Sequence, residues 1–324
     1  MTEHHELSST ASSTASSDFA PLDSPGALLD AARREGLRIV APRADFDQSG
    51  LDFLVVHARD EEGVPWVVRT PRRLAVVKAA RVEARVLALV RKHLPVAVPD
   101  WRVHTDQVIA YPRLGDVPAV SFDPEAGVRW NHVDPAAPPA AFIDSMADAL
   151  AALQRIDAAA IEAAGVPVKS IDDERATLAR AMDETRSTLS PPEAVWARWQ
   201  RWLADDARWP RHVALVHGDL HPGHMLVRED GRLTGILDWT EAHVGDPSSD
   251  FALFAGAFGK AVLDAVIARF EAAGGPAWPG LAAHAAERWA AWPALAAKWG
   301  IDMGNEAVIE HARSHLEKIA AESG

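Results

Sequence analysis

One short segment constrains this chain of 324 residues more than any other part of it. The segment runs His217-Gly218-Asp219-Leu220-His221-Pro222-Gly223-His224, and an apolar strand pattern then leads to Ile236-Leu237-Asp238-Trp239. It places one carboxylate in a loop, a possible metal ligand at the end of that loop and a second carboxylate after the next predicted hairpin. Phosphoryl transfer uses a carboxylate that accepts the proton of the attacking hydroxyl, and further ligands that hold magnesium on the donor phosphates. We therefore predict a phosphoryl-transfer site that is formed by Asp219, His224 and Asp238.

Composition and charge limit the classes of molecule that this protein is expected to bind. A hydrophobic content of 48% permits a large core, and the length suits one bilobal unit or two domains. The net charge of -13 argues against nucleic acid and anionic membranes and favours a cationic small molecule. The chain has no cysteine, and it reads as having no segment long and apolar enough to span a bilayer. We therefore expect a cytoplasmic protein, with a monomer as the working expectation.

The order of predicted elements indicates an α+β, bilobal, protein-kinase-like fold, with a small β-rich N-terminal lobe and a large, mostly helical C-terminal lobe. We expect a disordered serine-rich tail over 1–23, a nucleotide-binding lobe over 24–113, and a catalytic and substrate-binding helical lobe over 114–324. The small lobe is predicted to contain a helix from Ser24 to Gly36, strands at 37–46, 51–59, 64–70, 98–103 and 107–112, and a helix at 75–94. Beyond Leu114, helices are predicted at 142–156, 171–189, 192–207, 251–273, 281–299 and 305–320, interrupted only by the hairpin around the catalytic loop.

The other histidines and acids of the motif have more structural interpretations. A buried His217 is expected to hydrogen-bond loop carbonyls, and His221 is also expected to be structural. His224 has two interpretations, as a metal ligand or as a side chain that only packs against the loop. Asp246 and Asp250 are expected to cap or brace a loop, and a third metal ligand at Asp246 is the less favoured alternative.

The small lobe and the last helices supply further candidates. Arg69 and Glu83 are laid out as a pair that would position the donor phosphates, with Arg72 and Arg73 as competitors for the role of Arg69. The turn that contains Ser49 could cover the phosphates, although an ordinary hairpin turn explains it equally well. A tryptophan stripe in the last helical region would suit either helix packing or a wall for a large apolar ligand, and it consists of Trp289, Trp292 and Trp299.

The chain resembles the aminoglycoside phosphotransferase and kinase-like superfamily through His217 to His224 and Asp238. Within it, the chain is more similar to macrolide 2'-phosphotransferases, over about Ser24 to Leu316. Segments 65–73, 81–85, 94–101, 217–226 and 235–250 carry this closer resemblance.

The resemblance implies transfer of the γ-phosphate of GTP, with ATP possible, to the 2'-hydroxyl of a macrolide amino sugar, with Mg²⁺ as cofactor. It implies that Asp219 is the base and that His224 and Asp238 are the metal ligands. Backbone groups around Tyr111, Pro112 and Leu114 would contact the purine, and Glu241 and Asp219 would contact the macrolide. Two alternatives stay open from the residues: another acceptor alcohol, such as an aminoglycoside or a metabolite, and a kinase-like binder without turnover.

Overall fold

The structure is a computed structural model that describes residues 19–40, 46, 47, 50, 52–123 and 127–322. The candidate Ser49 and most of the predicted tail lie outside these residues. In chain order, the described helices and strands are α1 Pro25–Arg34, β1 Ile39–Val40, β2 Phe53–Asp60, β3 Pro65–Pro71, α2 Leu74–Val90, β4 Val103–His104, β5 Ile109–Pro112, β6 Val117–Pro118, β7 Val120–Asp123, β8 Gly127–Trp130, α3 Ala140–Gln154, α4 Ala158–Ala164, α5 Ile171–Leu189, α6 Glu193–Ala204, β9 Ala214–Val216, β10 Met225–Val227, β11 Leu233–Ile236, β12 His243–Gly245, α7 Ser249–Ala272, α8 Leu281–Met303 and α9 Glu306–Glu322.

The chain divides into two compact units. The first consists of Met1–Lys78 and Thr105–Ala110, and the second consists of Ala79–His104 and Tyr111–Gly324. The first unit holds α1 and β1 to β3, and the second holds most of the helices. The lobe boundary expected at residue 113 stays a prediction.

Helix α1 opens the first unit as its sequence predicts. The Ser24 side chain accepts a hydrogen bond from the Ala27 amide at 3.2 Å, and Pro25 occupies the first helical position. Gly36, with φ of +91°, follows the last turn in a conformation that favours glycine. The apolar face of the helix is buried through Leu28 and Leu29, which stabilises its packing against β3.

The hairpin of β2 and β3 is built around one acidic turn. The two strands pair antiparallel from Phe53 opposite Pro71 to Arg59 opposite Pro65. In the turn, the Asp60 carboxylate accepts hydrogen bonds from the Val64 amide at 2.8 Å and from the indole of Trp66 at 2.9 Å. These bonds lower the pKa of Asp60, the indole bond most strongly. The predicted turn between these strands is confirmed.

The second unit has two apolar cores. In the first, α7 packs against α3, and the rings of Phe142, Phe254 and Phe258 contact one another at centroid distances of 4.5 to 6.1 Å. In the second, α5, α6, α8 and α9 surround the buried side chains of Met182 and Trp199. The apolar periodicity of these helices explains why most of their positions were predictable.

Three sequence expectations are wrong. Only Val103 of the strand expected over 98–103 lies in a strand, because the preceding chain runs to a single bridge between Ala97 and Gly235. The segment after Leu114 is not helical up to the catalytic hairpin, since it contains β6 and the β7–β8 hairpin. Helix α4 was also missed, although Asp157 caps its first amides and Gly165 ends it with φ of +62°.

The expectation that no segment could span a membrane also fails for one helix. Among the described residues, α7 is long and apolar enough by length and composition, with a mean hydropathy of 1.8. The helix nevertheless carries the fully buried Asp250 in its first turn, and its Phe251, Phe254 and Phe270 lie in the first core. A core helix passes the same test, so α7 gives only weak support for a membrane segment.

Candidate active site

One buried acid, Asp250, binds the backbone of the loop between β9 and β10, which is the catalytic loop. The Asp250 carboxylate accepts hydrogen bonds from the backbone amides of His217 and Gly218, both at 2.9 Å. Gly218 has φ of +86°, and a Cβ there would lie 2.5 Å from the Glu241 carbonyl oxygen. Asp250 therefore braces this loop, which is one of the two roles predicted for it. Glycine is needed at position 218 because the loop passes close to the Glu241 backbone there.

His217 fixes the loop to the following hairpin. Its ring is fully buried, and Nε2 lies 2.8 Å from the Leu237 carbonyl oxygen, while Nδ1 accepts a hydrogen bond from the Asp219 amide at 3.3 Å. Nε2 must then carry the proton and donate it to Leu237. Burial lowers the pKa of His217 to about 3, so the ring is neutral near pH 7. The predicted structural role of His217 is confirmed.

Asp219 is a half-buried carboxylate at the centre of the loop. Burial raises the pKa of Asp219 to about 6; His224 opposes that shift, and the negative charges of Asp238 and Glu241 add to it. A carboxyl group with a raised pKa is a stronger proton acceptor once it is ionised. Asp219 therefore has the properties of a general base, and the contribution of Glu241 places that acid close to it.

The imidazole of His224 lies between two carboxylates. Its Nδ1 is 3.0 Å from the Asp219 carbonyl oxygen and 3.8 Å from a carboxylate oxygen of Asp219, and its Nε2 is 3.8 Å from a carboxylate oxygen of Asp238. A carbonyl oxygen can only accept, so the neutral ring donates from Nδ1 and leaves the lone pair of Nε2 directed to the Asp238 side. The donor set fits a divalent metal ion, and His224 and Asp238 are the residues that would hold it.

Asp238 has a special backbone conformation at this site. Its φ is +56°, a left-handed conformation that aspartate tolerates better than most residues do. The Leu237 amide donates to the His224 carbonyl oxygen at 2.9 Å, which joins the end of β11 to the catalytic loop. This backbone bond keeps the two predicted metal ligands side by side.

His221 is the third imidazole of the loop. Its ring centroid is 3.9 Å from that of His224, and Asp219, His221 and His224 offer ligand atoms within 4.8 Å of one another. However, Nδ1 of His221 accepts a hydrogen bond from the Gly223 amide at 3.1 Å, so its Nε2 carries the proton in the neutral ring. Burial lowers the pKa of His221 to about 4. The ring is therefore neutral near pH 7 and supports the loop.

A buried ionic network lies behind the loop, and sequence reasoning missed most of it. Arg288 binds Asp246 at 2.9 Å and Glu174 at 3.0 Å, and His284 binds the same oxygen of Asp246 at 2.7 Å. The Glu174 side chain also accepts the Asp246 amide at 2.8 Å. The partners of Asp246 lie on α5 and α8, which are far apart in the chain. The one signal that the sequence offers for them is a polar residue within an otherwise apolar helical face. Asp246 is thus occupied by this network, which leaves no observation in favour of it as a metal ligand.

The nucleotide candidates fall in both units. Arg69, in β3, lies with its guanidinium 4.1 Å from the Phe53 ring centroid in the first unit. Glu83, in α2, is buried in the second unit and accepts a hydrogen bond from the Thr240 hydroxyl at 3.2 Å. The pairing of Arg69 with Glu83 stays a prediction, as do the purine contacts expected around Tyr111, Pro112 and Leu114, which all lie in the second unit.

The competitors of Arg69 have local partners. Arg73 forms an ion pair with Asp52 at 2.6 Å, and Arg72 donates to the Phe53 carbonyl oxygen at 3.4 Å. Both arginines therefore bind near the start of β2, and the choice among the three arginines for a role towards phosphate stays a prediction.

A cavity of about 660 Å³ lies among α7, α8 and α9. Trp289 forms part of its wall and stacks on Trp292 with ring centroids 5.7 Å apart, whereas Trp299 is 37% exposed. A Cβ at Gly256 would overlap the Trp289 ring, so this glycine admits the indole. Small and aliphatic side chains, two histidines and three cations complete the lining, and the residues are Arg198, Ala255, Lys260, Leu263, Pro279, Ala282, Ala283, Ala286, Ala290, His311, Ser314, His315, Lys318 and Ile319.

Comparisons with known proteins agree with this architecture. Residues 44–284 match the family described as "Phosphotransferase enzyme family". Two solved structures are each 38% identical over 90% of this chain: a macrolide 2'-phosphotransferase type I, 96% covered with a TM-score of 0.82, and the apoenzyme of macrolide 2'-phosphotransferase MphH from Brachybacterium faecium, 97% covered with a TM-score of 0.80. These matches confirm the predicted α+β kinase-like fold.

Two further relatives extend the comparison. The uncharacterized protein YcbJ of Bacillus subtilis strain 168 is 38% identical over 296 residues, which are 91% of this chain and 96% of that protein. A GDP and kanamycin complex of APH(2")-IIIa is 20% identical with a TM-score of 0.70, covers 88% of this chain and 95% of its own, and shows the shared fold alone. On the family match and the two structures at 38% identity, this chain belongs to the phosphotransferase enzyme family and is similar to macrolide 2'-phosphotransferases over nine-tenths of its length.

Proposed function

We propose that the protein transfers the γ-phosphate of GTP to the 2'-hydroxyl of the amino sugar of a macrolide antibiotic, and so confers macrolide resistance. The observation that carries the reaction class is the placement of Asp219, His224 and Asp238 around one loop. Similarity over nine-tenths of the chain to two macrolide 2'-phosphotransferases supports the acceptor.

The catalytic step assigns each of these side chains a task. Asp219 binds the acceptor hydroxyl, orients its oxygen for in-line attack on the γ-phosphorus and takes its proton as the new P–O bond forms. The bond from the γ-phosphorus to the oxygen that bridges to the β-phosphate breaks in the same step, and GDP leaves. His224 and Asp238 would hold magnesium, which when bound neutralises charge on the donor phosphates. Asp250 keeps the loop rigid through the amides of His217 and Gly218. The base is therefore positioned before the acceptor arrives, which lowers the entropic cost of the reaction.

The cavity among the last helices suits the apolar body of the acceptor. Asp250, which binds the catalytic loop, and Ala255, which lines the cavity, are about 8 Å apart along the axis of α7. The wall offers alanines and the stacked Trp289, which bind an apolar ring by burial of its surface. We propose that the lactone ring occupies this cavity while the amino sugar reaches Asp219.

Glu241 is the proposed partner of the acceptor amine. No carboxylate lines the described part of the cavity, so the cavity itself does not supply a counter-charge for an ammonium group. Glu241 is exposed, and its backbone contacts the catalytic loop at Gly218. In the amino sugar of a macrolide the amine is adjacent to the 2'-hydroxyl, so a carboxylate beside the base suits an ion pair to it.

GTP is proposed as the donor on the strength of the family resemblance, with ATP as the competing donor. Arg69 and Glu83 are the proposed phosphate-positioning pair, and backbone groups around Tyr111, Pro112 and Leu114 are the proposed purine contacts.

The deciding experiment is an end-point mass measurement. Purified protein is incubated with magnesium, either GTP or ATP, and an erythromycin-type macrolide, and a parallel reaction contains the same macrolide acetylated at the 2'-hydroxyl. We expect one phosphate-sized mass gain on the free macrolide, no gain on the acetylated compound, and a faster reaction with GTP. The Asp219→Asn variant should phosphorylate the free macrolide at least about 100-fold more slowly.

Other results would redirect the proposal. A gain on the acetylated macrolide would move the reaction to another hydroxyl, and a gain only on aminoglycosides or other alcohols would replace the macrolide as acceptor. Nucleotide binding without any product across the acceptor panel would favour the non-catalytic binder. An unchanged minimum inhibitory concentration in a macrolide-sensitive host that expresses active protein would refute the resistance role.

A further inference from the structure

His243, the first residue of β12, has an acceptor at each of its two ring nitrogens. Its Nδ1 lies 2.7 Å from the Glu241 carbonyl oxygen, and its Nε2 lies 3.4 Å from a carboxylate oxygen of Glu174. A carbonyl oxygen can only accept a hydrogen bond, and the same holds for an ionised carboxylate. A neutral ring has one N–H and satisfies one of these partners, whereas the imidazolium donates to both. The two contacts therefore indicate a positively charged His243.

The charges of the buried ionic network agree with this assignment. The carboxylates of Glu174 and Asp246 both bind Arg288, and one guanidinium balances only one of the two negative charges. His284 does not supply the second positive charge, because its Nδ1 accepts an indole N–H at 3.1 Å and its Nε2 then donates to Asp246 as a neutral ring. Buried carboxylates are costly without a paired cation, and His243 supplies the second one.

Strand β12 makes room for this ion pair at a glycine. A Cβ at Gly245 would overlap the Glu174 carboxylate and would lie 2.7 Å from Nε2 of His243. The backbone cannot easily move away, because Gly245 is paired with Ala214 of β9 in the antiparallel ladder. A larger residue at position 245 would therefore separate the carboxylate from the imidazole.

His243 reaches the catalytic loop first through the Glu241 backbone. The Glu241 carbonyl oxygen that accepts from Nδ1 also packs against Gly218, where a Cβ would lie 2.5 Å from it. The hydrogen bond thus fixes the peptide group against which the loop rests. It also fixes the backbone that carries the Glu241 carboxylate, the proposed partner of the acceptor amine.

The second connection runs through the charge of Asp250. One carboxylate oxygen of Asp250 accepts the His217 amide and the other accepts the Gly218 amide. Both oxygens are good acceptors only in the ionised group, since protonation turns one of them into a donor. Burial raises the pKa of Asp250 to about 6, and the two amides, His243 and Arg288 oppose that rise. Loss of the charge on His243 would therefore favour protonation of Asp250 and weaken its hold on the loop.

We propose that His243 is a positioning residue, a buried imidazolium that fixes the Glu241 backbone and helps to keep the catalytic loop bound to Asp250. Its effect on turnover rests on the proposed function, because the loop carries the proposed base. The ionisable groups around His243 and Asp250 are Glu174 on α5, Arg288 and His284 on α8, Asp246 after β12, and His217 and Asp219 in the catalytic loop.

The first test measures the protonation of His243 in the parent protein. Protein labelled with ¹⁵N-histidine is studied by two-dimensional NMR at pH 7, and the signal that disappears in His243→Gln or His243→Lys identifies the residue. We expect two protonated ring nitrogens with the chemical shifts of an imidazolium. This readout needs neither nucleotide nor acceptor.

The second test measures how firmly the catalytic loop is held. Hydrogen exchange of the peptide that contains the loop is followed by mass spectrometry from pH 5 to pH 8 and corrected for intrinsic exchange rates. Protection should fall as the pH falls through the pKa of Asp250, and His243→Gln should move the midpoint upward by about one pH unit. His243→Lys keeps a positive charge and should restore most of the parent profile. The control His212→Gln changes a histidine that contacts Trp278, outside the network, and should leave the midpoint unchanged.

The third test separates positioning from binding in the transferase reaction. His243→Gln should lower kcat about tenfold at pH 6.5, with a smaller loss at pH 8, because the loop carrying the base is held less firmly at the lower pH. The affinity for GDP should stay within about twofold of the parent value. Circular dichroism checks that each variant is folded.

Three results would overturn the proposal: a neutral His243 ring at pH 7, the same midpoint of loop protection in His243→Gln as in the parent, or no rescue of that midpoint by His243→Lys. An imidazolium and a shifted midpoint in a protein that phosphorylates no macrolide would refute the proposed acceptor and leave the role of His243 in the loop intact. Macrolide phosphorylation with an unchanged pH profile in His243→Gln would do the reverse.

Discussion

Replacement of Arg288 by methionine should destabilise the protein by about 3–5 kcal/mol at pH 7, because it leaves buried carboxylates without their cation. The guanidinium binds Asp246 at 2.9 Å and Glu174 at 3.0 Å. Asp246 is fully buried and Glu174 is 7% exposed, so water cannot replace the lost partner. Methionine keeps most of the volume of the side chain, which separates the loss of charge from the loss of packing. Such a cost is a large share of a typical unfolding free energy of about 5–15 kcal/mol.

The pH dependence of this loss has a defined sign. Burial tends to raise the pKa of Asp246, but Arg288 and His284 outweigh it and hold that pKa below its ordinary value of 3.8. For Glu174, burial is likewise outweighed, by His243 and Arg288, and its pKa lies below 4.5. In the parent protein, the two groups therefore stabilise the fold fully above about pH 5 and lose that contribution as the pH falls through the lowered pKa values. In Arg288→Met both pKa values rise, so the deficit relative to the parent should shrink between pH 7 and pH 5.

The assay is urea unfolding of both proteins at pH 7 and pH 5, followed by tryptophan fluorescence and circular dichroism. The matched control is Arg269→Met, which removes an ion pair to Asp144 of similar length, 3.1 Å, with side chains 62% and 45% exposed. An exposed pair contributes at most about 1 kcal/mol, so this control should change little. Equal losses in Arg288→Met and Arg269→Met, or a deficit that grows towards pH 5, would refute the reasoning.

The remaining predictions concern the loop and the cavity. Asp219→Asn should lower turnover by about 100- to 10,000-fold while GDP affinity, measured by calorimetry, stays within about twofold. Gly256→Ala should displace the Trp289 ring, destabilise the protein by about 1–3 kcal/mol and raise the macrolide KM, whereas Gly26→Ala, where nothing lies within 4 Å of the new Cβ, should be nearly neutral in the same unfolding assay. Glu241→Gln should raise the macrolide KM about tenfold with kcat unchanged, and steady-state kinetics in which kcat falls instead would contradict its role as partner of the amine.

The catalytic loop was predictable because its information is local. The spacing between Asp219 and His224 is fixed by one tight loop, and Asp238 follows at the end of the next hairpin. The loop before β10 is short and β10 pairs with β11 as a hairpin, so few conformations are available, and residue type and spacing together specify which side chains meet. Helices α5 and α7 were predicted for a similar reason, since a long apolar periodicity outweighs weak local preferences.

The strands between Leu114 and α3 were not predictable in the same way. Strand β6 has two residues, and it pairs with β10, more than a hundred residues later in the chain. Such a short strand carries no periodic signal of its own, and its formation depends on a partner that sequence proximity does not reveal. Within the predicted stripe, Trp289 and Trp292 stack on each other, whereas Trp299 is 37% exposed. The role of the three tryptophans as a wall for a ligand stays a prediction. The expected monomer and cytoplasmic location stay predictions.

The buried network connects α8 with the loop that holds the proposed catalytic base. Arg288 and His284, on α8, bind Asp246, which directly follows β12. Asp250, in the first turn of α7, binds the amides of His217 and Gly218, which precede Asp219. A shift of α8 relative to α7 would therefore be felt by the loop through charged groups that have no water to replace them. Trp289 follows Arg288 in the chain and faces the cavity, so a ligand that presses on that ring acts next to the network. If the Arg288→Met variant lowers kcat at temperatures where it remains folded, this connection from cavity to base is the physical reason we expect.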